Sequence, residues 1–157
     1  MDQRRIAKQQ RIDNVLLSLK KCDYLTAAQI RQMHKLGGER NTNRFINDMS
    51  EYLCSFRNGM EKVYYLSKAG RERIGHDVIR KKIPNVEHYL LRNQLYVKLG
   101  QPRTWDTEIK VQIDDHYVIC DAMYTAKGGI KVFIEADNTQ PMIKNKSKIE
   151  RYRKFRN

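Results

Sequence analysis

The sequence predicts an α+β fold in two parts: a helical N-terminal part ending in a hairpin, and a C-terminal helix, three-stranded meander and helix. Apolar residues at helical spacing and an Asn-Gly turn predict the first part, and strand-like runs separated by turns predict the second. Charge also changes along the chain, because residues 1–83 carry 18 Lys and Arg against 9 Asp and Glu, whereas residues 84–140 carry 6 against 8. We place the domain boundary between residues 83 and 84, because Pro84 ends any helix that arrives there.

Three helices are predicted before the hairpin. The first, Arg4–Leu19, has one apolar face formed by Ile12, Val15, Leu16 and Leu19. Thr26 caps the second helix, and the glycines at residues 37–38 end it. The third helix runs from about Glu39 to Leu53. Its apolar face consists of Phe45, Ile46, Met49 and Leu53.

A two-stranded hairpin follows the third helix. Asn58-Gly59 predicts a type I′ turn, because both residues tolerate positive φ, and residues 54–57 and 62–66 are its strands. Ser67 then caps a fourth helix, which Gly75 ends. Helices followed by a two-stranded wing are typical of a winged helix-turn-helix, which places its third helix in the DNA major groove.

The third helix presents a polar face suited to reading DNA bases. Its members are Arg40, Asn41, Asn43, Arg44 and Asn47. Arg can bind guanine and Asn can bind adenine through paired hydrogen bonds, while Arg57 and Lys62 beside the wing turn can reach phosphate or the minor groove. The formal net charge of +13 also favours a polyanionic partner. We therefore expect double-stranded DNA as the partner, although a merely solvated helix face would have the same composition.

A homodimer is the expected oligomer, because winged helices commonly bind paired half-sites as dimers. The candidate interfaces are the apolar stripe of the first helix and the sheet of the second part. Another reading is a protein-interaction factor that modulates a different regulator and uses its basic surface only incidentally.

The second part begins with a helix over Val86–Leu99. Three strand-like runs follow: residues 105–113, 117–125 and 130–137. A basic helix beginning near Met142 or Ile143 closes the chain, and its Lys144 and Lys146 are candidate phosphate contacts. The simpler reading is an amphipathic helix with a solvated basic face.

Carboxylates recur on one face of the predicted meander. Glu135 and Asp137 are two residues apart on the last strand and so point to the same side, while Asp121 and Glu108 lie on the preceding strands. Such a group can hold Mg²⁺, which activates water against a phosphodiester. A Mg²⁺-dependent nuclease or nickase with these four catalytic residues is therefore an alternative function. On the leading reading the protein needs no cofactor and is not an enzyme.

Two observations weigh against catalysis. Nucleases of this layout usually carry a Lys two residues after the Glu, and Asp137 stands there instead, so Lys144 or Lys146 would have to substitute in space. Paired carboxylates are also often only partners of neighbouring Lys and Arg side chains.

The cysteines and the apolar pattern bear on the protein's location. Cys22, Cys54 and Cys120 are far apart and include no CxxC pair, so neither a zinc site nor a disulfide framework is expected. The N-terminus is charged, and no apolar run approaches membrane-spanning length. We expect a soluble, cytoplasmic protein.

The run Phe133–Gln140, with residues 145–149 and Tyr152, resembles the replication-relaxation family of plasmids, conjugative elements and phages of Gram-positive bacteria. Further matches to the family pattern are His88, Asn93 and Asp121. The resemblance implies a DNA-binding protein of a mobile element, acting in replication, its control or transcription regulation. It also implies a restriction-endonuclease-like second part, here truncated soon after the last helix. Cys120 stands where a Pro often precedes the Asp, which weakens the implication of nuclease activity.

Overall fold

The computed structural model describes residues 2–136, 149–150 and 152–153. The chain divides into two compact units, Met1–Asn93 and Gln94–Asn157. Helices are combined with small antiparallel sheets, which confirms the α+β class. None of the helices in the described part of the chain combines the length and apolar character that crossing a bilayer requires.

The first unit has the element order of a winged helix. Its elements are α1 (Gln3–Cys22), β1 (Leu25–Thr26), α2 (Ala27–His34), α3 (Glu39–Asp48), β2 (Leu53–Asn58), β3 (Glu61–Leu66) and α4 (Lys68–Ile74). The strands form one antiparallel sheet in the order β1-β3-β2, with β2 and β3 as the wing. A fifth helix, α5 (Val86–Lys98), begins in this unit.

The third helix is shorter than the sequence predicts. It ends at Asp48, and a 3₁₀ turn over Ser50–Tyr52 leads into β2. Met49 leaves the helical conformation at φ −106° and ψ 17°, and Leu53 is already extended. The apolar spacing that predicted one long helix therefore belongs to two elements.

The wing turn lies one residue later than predicted. Asn58 pairs with Glu61 across the hairpin, so the two loop residues are Gly59 and Met60. Gly59 has φ 63°, whereas Asn58 does not adopt a positive φ, and the predicted type I′ turn at Asn58-Gly59 is wrong. A positive φ confined to a glycine at the first loop position is the type II′ pattern.

The apolar stripe of α1 lies in the core of the first unit. Ile12, Val15, Leu16 and Leu19 are each exposed by 3% or less. These side chains are therefore not available as a dimer interface, contrary to the expectation from their spacing alone.

The start of α5 also packs within the first unit. The Asn93 amide donates to the carbonyls of Cys22 and Tyr24, at 3.0 and 2.6 Å. The Gln29 amide donates to the Leu90 carbonyl at 2.9 Å. Residues after the expected boundary at 83/84 thus make buried contacts with the winged-helix elements.

The second unit contains an antiparallel meander in the order β4-β5-β6. The strands are β4 (Asp106–Ile113), β5 (His116–Thr125) and β6 (Lys131–Ile134). Because β6 ends at Ile134, the prediction that Glu135 lies on this strand is wrong. The backbone N–H of Ala136 donates instead to the Asp121 carboxylate at 2.7 Å. A side chain rather than a neighbouring strand therefore satisfies this N–H.

Several predicted features fall outside the described residues: Asp137, Lys144, Lys146 and the start of the C-terminal helix. Four residues of that helix are described as helical, namely Ile149, Glu150, Tyr152 and Arg153.

Candidate nucleic-acid interface

The polar and apolar residues of α3 segregate to opposite faces. Thr42, Phe45 and Ile46 are buried. All five predicted base-reading residues are exposed: Arg40, Asn41, Asn43, Arg44 and Asn47. Glu39 in the first turn suits the positive end of the helix dipole. The helix is thus fixed from beneath while its outer face remains open.

Not every residue of this face is equally available. The Asn41 amide donates to the Leu36 carbonyl at 2.6 Å, so it secures the turn before α3. Asn43 and Asn47 line a groove between α3 and the wing, whereas Asn41 and Arg44 line another beside α1. The predicted single face is therefore divided between two grooves.

The groove between α3 and the wing has a volume of about 510 Å³. Its wing side is formed by alternate residues of the two strands: Ser55, Arg57, Lys62 and Tyr64. The opposite face of the same strands belongs to the core, where Val63 is fully buried. The sheet thus holds the predicted wing cations on the side that borders α3.

Arg57 and Lys62 are direct partners across the hairpin. Both are exposed, and the Lys62 ammonium lies 5.7 Å from the centre of the Tyr64 ring. Like charges directly opposite one another destabilise a strand pair. A nearby anion would relieve that repulsion.

The second unit brings two of the four predicted carboxylates together. A carboxylate oxygen of Glu108 and one of Asp121 lie within 4.8 Å of each other. Glu108 has a left-handed φ of 53° and falls between the register pairs Thr107↔Ala122 and Ile109↔Cys120. The strand is therefore distorted where the two acidic residues meet.

The other carboxylates are placed differently. Glu135, beyond the end of β6, accepts a hydrogen bond from the Tyr152 hydroxyl. Burial, and then this carboxylate, raise the pKa of Tyr152 above its ordinary value. Asp121 is buried and accepts the Ala136 N–H, so its carboxylate already serves the fold. Asp137 lies outside the described residues.

The remaining residues of the family pattern lie on α5. Asn93 is buried and donates to two backbone carbonyls, which gives it a structural role. The half-buried His88 ring meets the neighbouring Tyr89 ring edge to face, with centroids 6.0 Å apart.

Sequence reasoning missed cations beside α3. Arg4, Lys8 and Arg11 of α1 line the same groove as Arg44. Their i, i+4, i+7 spacing puts them on one side of a helix, and this signal was present in the sequence.

Comparison with known proteins gives one finding. A family model described as Replication-relaxation matches residues 16–157. Neither a curated protein nor a solved structure matches significantly.

Proposed function

Because the chain belongs to the replication-relaxation family, we propose that it binds double-stranded DNA sequence-specifically in the replication, or replication control, of a mobile genetic element. The family indicates a role in the replication of plasmids or other mobile elements. The DNA-binding part of the proposal comes from the first unit, and transcription regulation by the same contacts is compatible with it.

The arrangement of α3 and the wing is the observation that carries this proposal. The exposed face of α3 offers Arg and Asn, the side chains that pair best with guanine and adenine. The wing holds Arg57 opposite Lys62 at the edge of the adjoining groove. A DNA backbone along this edge would neutralise two cations that otherwise repel each other.

The residues of α3 and those of the wing have different roles in this proposal because of where they lie. Asn43, Asn47 and Arg40 on α3 read base edges in the major groove, whereas Arg57 and Lys62 contact phosphates. Base contacts set specificity, and phosphate contacts set register and salt dependence. We further propose that two copies bind paired half-sites, with an interface other than the buried stripe of α1.

The test starts from a random duplex library. The full-length chain should enrich a defined sequence, and its affinity for that duplex should exceed that for a scrambled duplex by about 10³-fold or more. Asn43→Ala should lose about 5- to 150-fold on the enriched duplex if a paired contact to adenine is removed, and little on the scrambled one. Lys62→Ala should weaken both duplexes alike.

Lys68→Ala is the matched control for Lys62→Ala. It removes an exposed Lys on α4 whose contact with Glu72 is long, at 3.9 Å, and it should leave both affinities unchanged. Failure to enrich any sequence, or equal loss on both duplexes for Asn43→Ala, would refute sequence-specific reading by α3. The stoichiometry of the complex, measured by light scattering, tests the dimer.

The Glu108–Asp121 proximity favours a second candidate, a Mg²⁺-dependent nuclease. Wild type would then cut supercoiled plasmid with Mg²⁺, and Asp121→Asn would abolish cutting while keeping an oxygen to accept the Ala136 N–H. Intact plasmid across a range of Mg²⁺ and Mn²⁺ concentrations would exclude this activity.

A further inference from the structure

The first eleven residues of the chain include a basic stretch of helix. In α1, all side chains from Gln3 to Arg11 are exposed, whereas burial begins at Ile12. Four cations lie in this stretch, namely Arg4, Arg5, Lys8 and Arg11. Its exposure therefore comes with a strong positive charge.

One side of this stretch borders α3. Arg4, Lys8 and Arg11 line a groove of about 410 Å³ together with Arg44 and Asn41. Arg44 lies on the exposed surface of α3, so the groove continues the proposed interface toward the N-terminus of the chain.

Lys8 forms an ion pair between the two helices. Its ammonium lies 2.7 Å from the Asp48 carboxylate, at the last residue of α3. A carboxylate there faces the negative end of the helix dipole, and the Lys8 charge offsets this repulsion. Lys8 therefore forms an exposed ion pair between α1 and α3, and its charge is already matched within the protein.

Arg4, Arg11 and Arg44 differ from Lys8 in this respect. Among the residues that the structure describes, none of these three side chains forms an ion pair, and all three are exposed. Seven residues of helix place Arg4 and Arg11 about 10 Å apart along the axis. This equals the axial rise of about three nucleotides in one strand of B-DNA.

We propose that Arg4, Arg11 and Arg44 form a second phosphate-binding strip, which holds the DNA backbone on the side of α3 opposite the wing. The proposal rests on the proposed DNA-binding function. The charge of the strip and its continuity with α3 select DNA as the occupant, and an acidic protein segment is the competing one. With this strip, the backbone is gripped on both sides of the reading helix.

The test measures how the observed binding constant depends on salt, with enriched and scrambled duplexes. Arg4→Gln/Arg11→Gln should reduce the magnitude of the log–log slope by about 1.8, or about 0.9 for each phosphate that the variant no longer neutralises. It should weaken both duplexes by the same factor and leave the specificity ratio unchanged. Because both side chains are exposed, the variant should fold like wild type, and thermal melting followed by circular dichroism checks this.

Arg5→Gln/Lys68→Gln is the matched control. It removes two exposed positive charges, but Arg5 lines the other side of α1 and Lys68 lies on α4. If the slope falls equally in the control, net charge alone explains the effect, and the proposal of a phosphate-binding strip is overturned. An unchanged slope in Arg4→Gln/Arg11→Gln would also overturn it, leaving the groove for an acidic protein partner.

The two proposals fail in different ways. The strip is tested on the scrambled duplex and needs no base reading, so loss of sequence preference would contradict only the proposed function. Normal preference with an unchanged slope would contradict only the strip. A wild-type chain that binds neither duplex would overturn both.

Discussion

The guanidinium of Arg92 lies 3.2 Å from the Asp23 carboxylate, and the Arg92 side chain has no solvent exposure. Asp23 directly follows α1 and has φ 69°. Its carboxylate also forms an ion pair with Arg80, whose Nη2 lies 2.9 Å from Oδ1. The Arg92 guanidinium lies 4.8 Å from the centre of the Tyr89 ring. A buried cation is thus held where α1 ends and α5 begins to pack, and the Asp23 carboxylate is one of its partners.

Removing that carboxylate should strongly destabilise the protein. Asp23→Ala removes the carboxylate that pairs with the buried Arg92 and with Arg80, and the free energy of unfolding should fall by about 3–5 kcal/mol in urea denaturation. Glu72→Ala removes an exposed carboxylate and should change it by less than about 0.5 kcal/mol. A similar small effect for both variants would contradict the importance of the pair.

A fragment that stops at residue 83 should not fold stably. It lacks Leu90, Arg92 and Asn93, which bind Gln29, Asp23 and two carbonyls of the first unit. A fragment of residues 1–100 keeps all of α5 and should melt cooperatively. Limited proteolysis and amide exchange compare the two fragments directly. Equal protection of residues 1–83 in both would instead support the domain boundary predicted between residues 83 and 84.

Gly70→Ala should destabilise the protein although alanine favours helix. A β-carbon at Gly70, in α4, would overlap the carbonyl oxygen of Tyr52. Helix propensity alone predicts a gain of up to about 1 kcal/mol, whereas the overlap predicts a loss of about 1–3 kcal/mol. Gly38→Ala meets nothing within 4 Å and should cost under about 1 kcal/mol as a weaker helix cap. Thermal unfolding decides the sign.

The Cys22 thiol should remain unreactive in the folded protein. Burial raises the pKa of Cys22 to about 12, so its thiolate is scarce at pH 8. Ellman's reagent should label this position only after unfolding in urea, as single-cysteine variants can show. Because the folded pKa is raised above the ordinary 9.0, this group's contribution to stability is complete below pH 9 and declines as pH rises toward 12. Rapid labelling of native Cys22 at pH 8 would contradict this.

Local signals in the sequence predicted much of the first unit. The Thr26 side chain caps α2 as expected, 3.2 Å from the Gln29 N–H, because capping involves only neighbouring residues. The Gln29 side-chain oxygen completes a capping box, 3.2 Å from the Thr26 N–H, and this contact was not predicted. The Ile12 stripe is buried, as helical spacing predicts. The turn residues did not predict the exact loop of the wing. Asn58 pairs with Glu61, so the loop lies one position later than the Asn-Gly pair indicates.

Long-range contacts could not be predicted from spacing. Arg92 and Asp23 are 69 residues apart, and nothing in the local pattern shows that they pair. Asp121 was predicted as a candidate catalytic carboxylate, but its hydrogen bond from the Ala136 N–H depends on where β6 ends. Likewise, the sequence did not show that Arg44 borders α1, because this depends on how the two helices pack.

The facing cations of the wing should make salt act in opposite directions on the free protein and on the DNA complex that we propose. Added salt screens the repulsion between Arg57 and Lys62 and should firm the hairpin when no nucleic acid is present. In the proposed complex, the same salt would compete with phosphate for both side chains and should weaken DNA binding. Amide exchange at the wing therefore reports on occupancy: protection should rise with ionic strength in the free chain and fall with it once the duplex is bound.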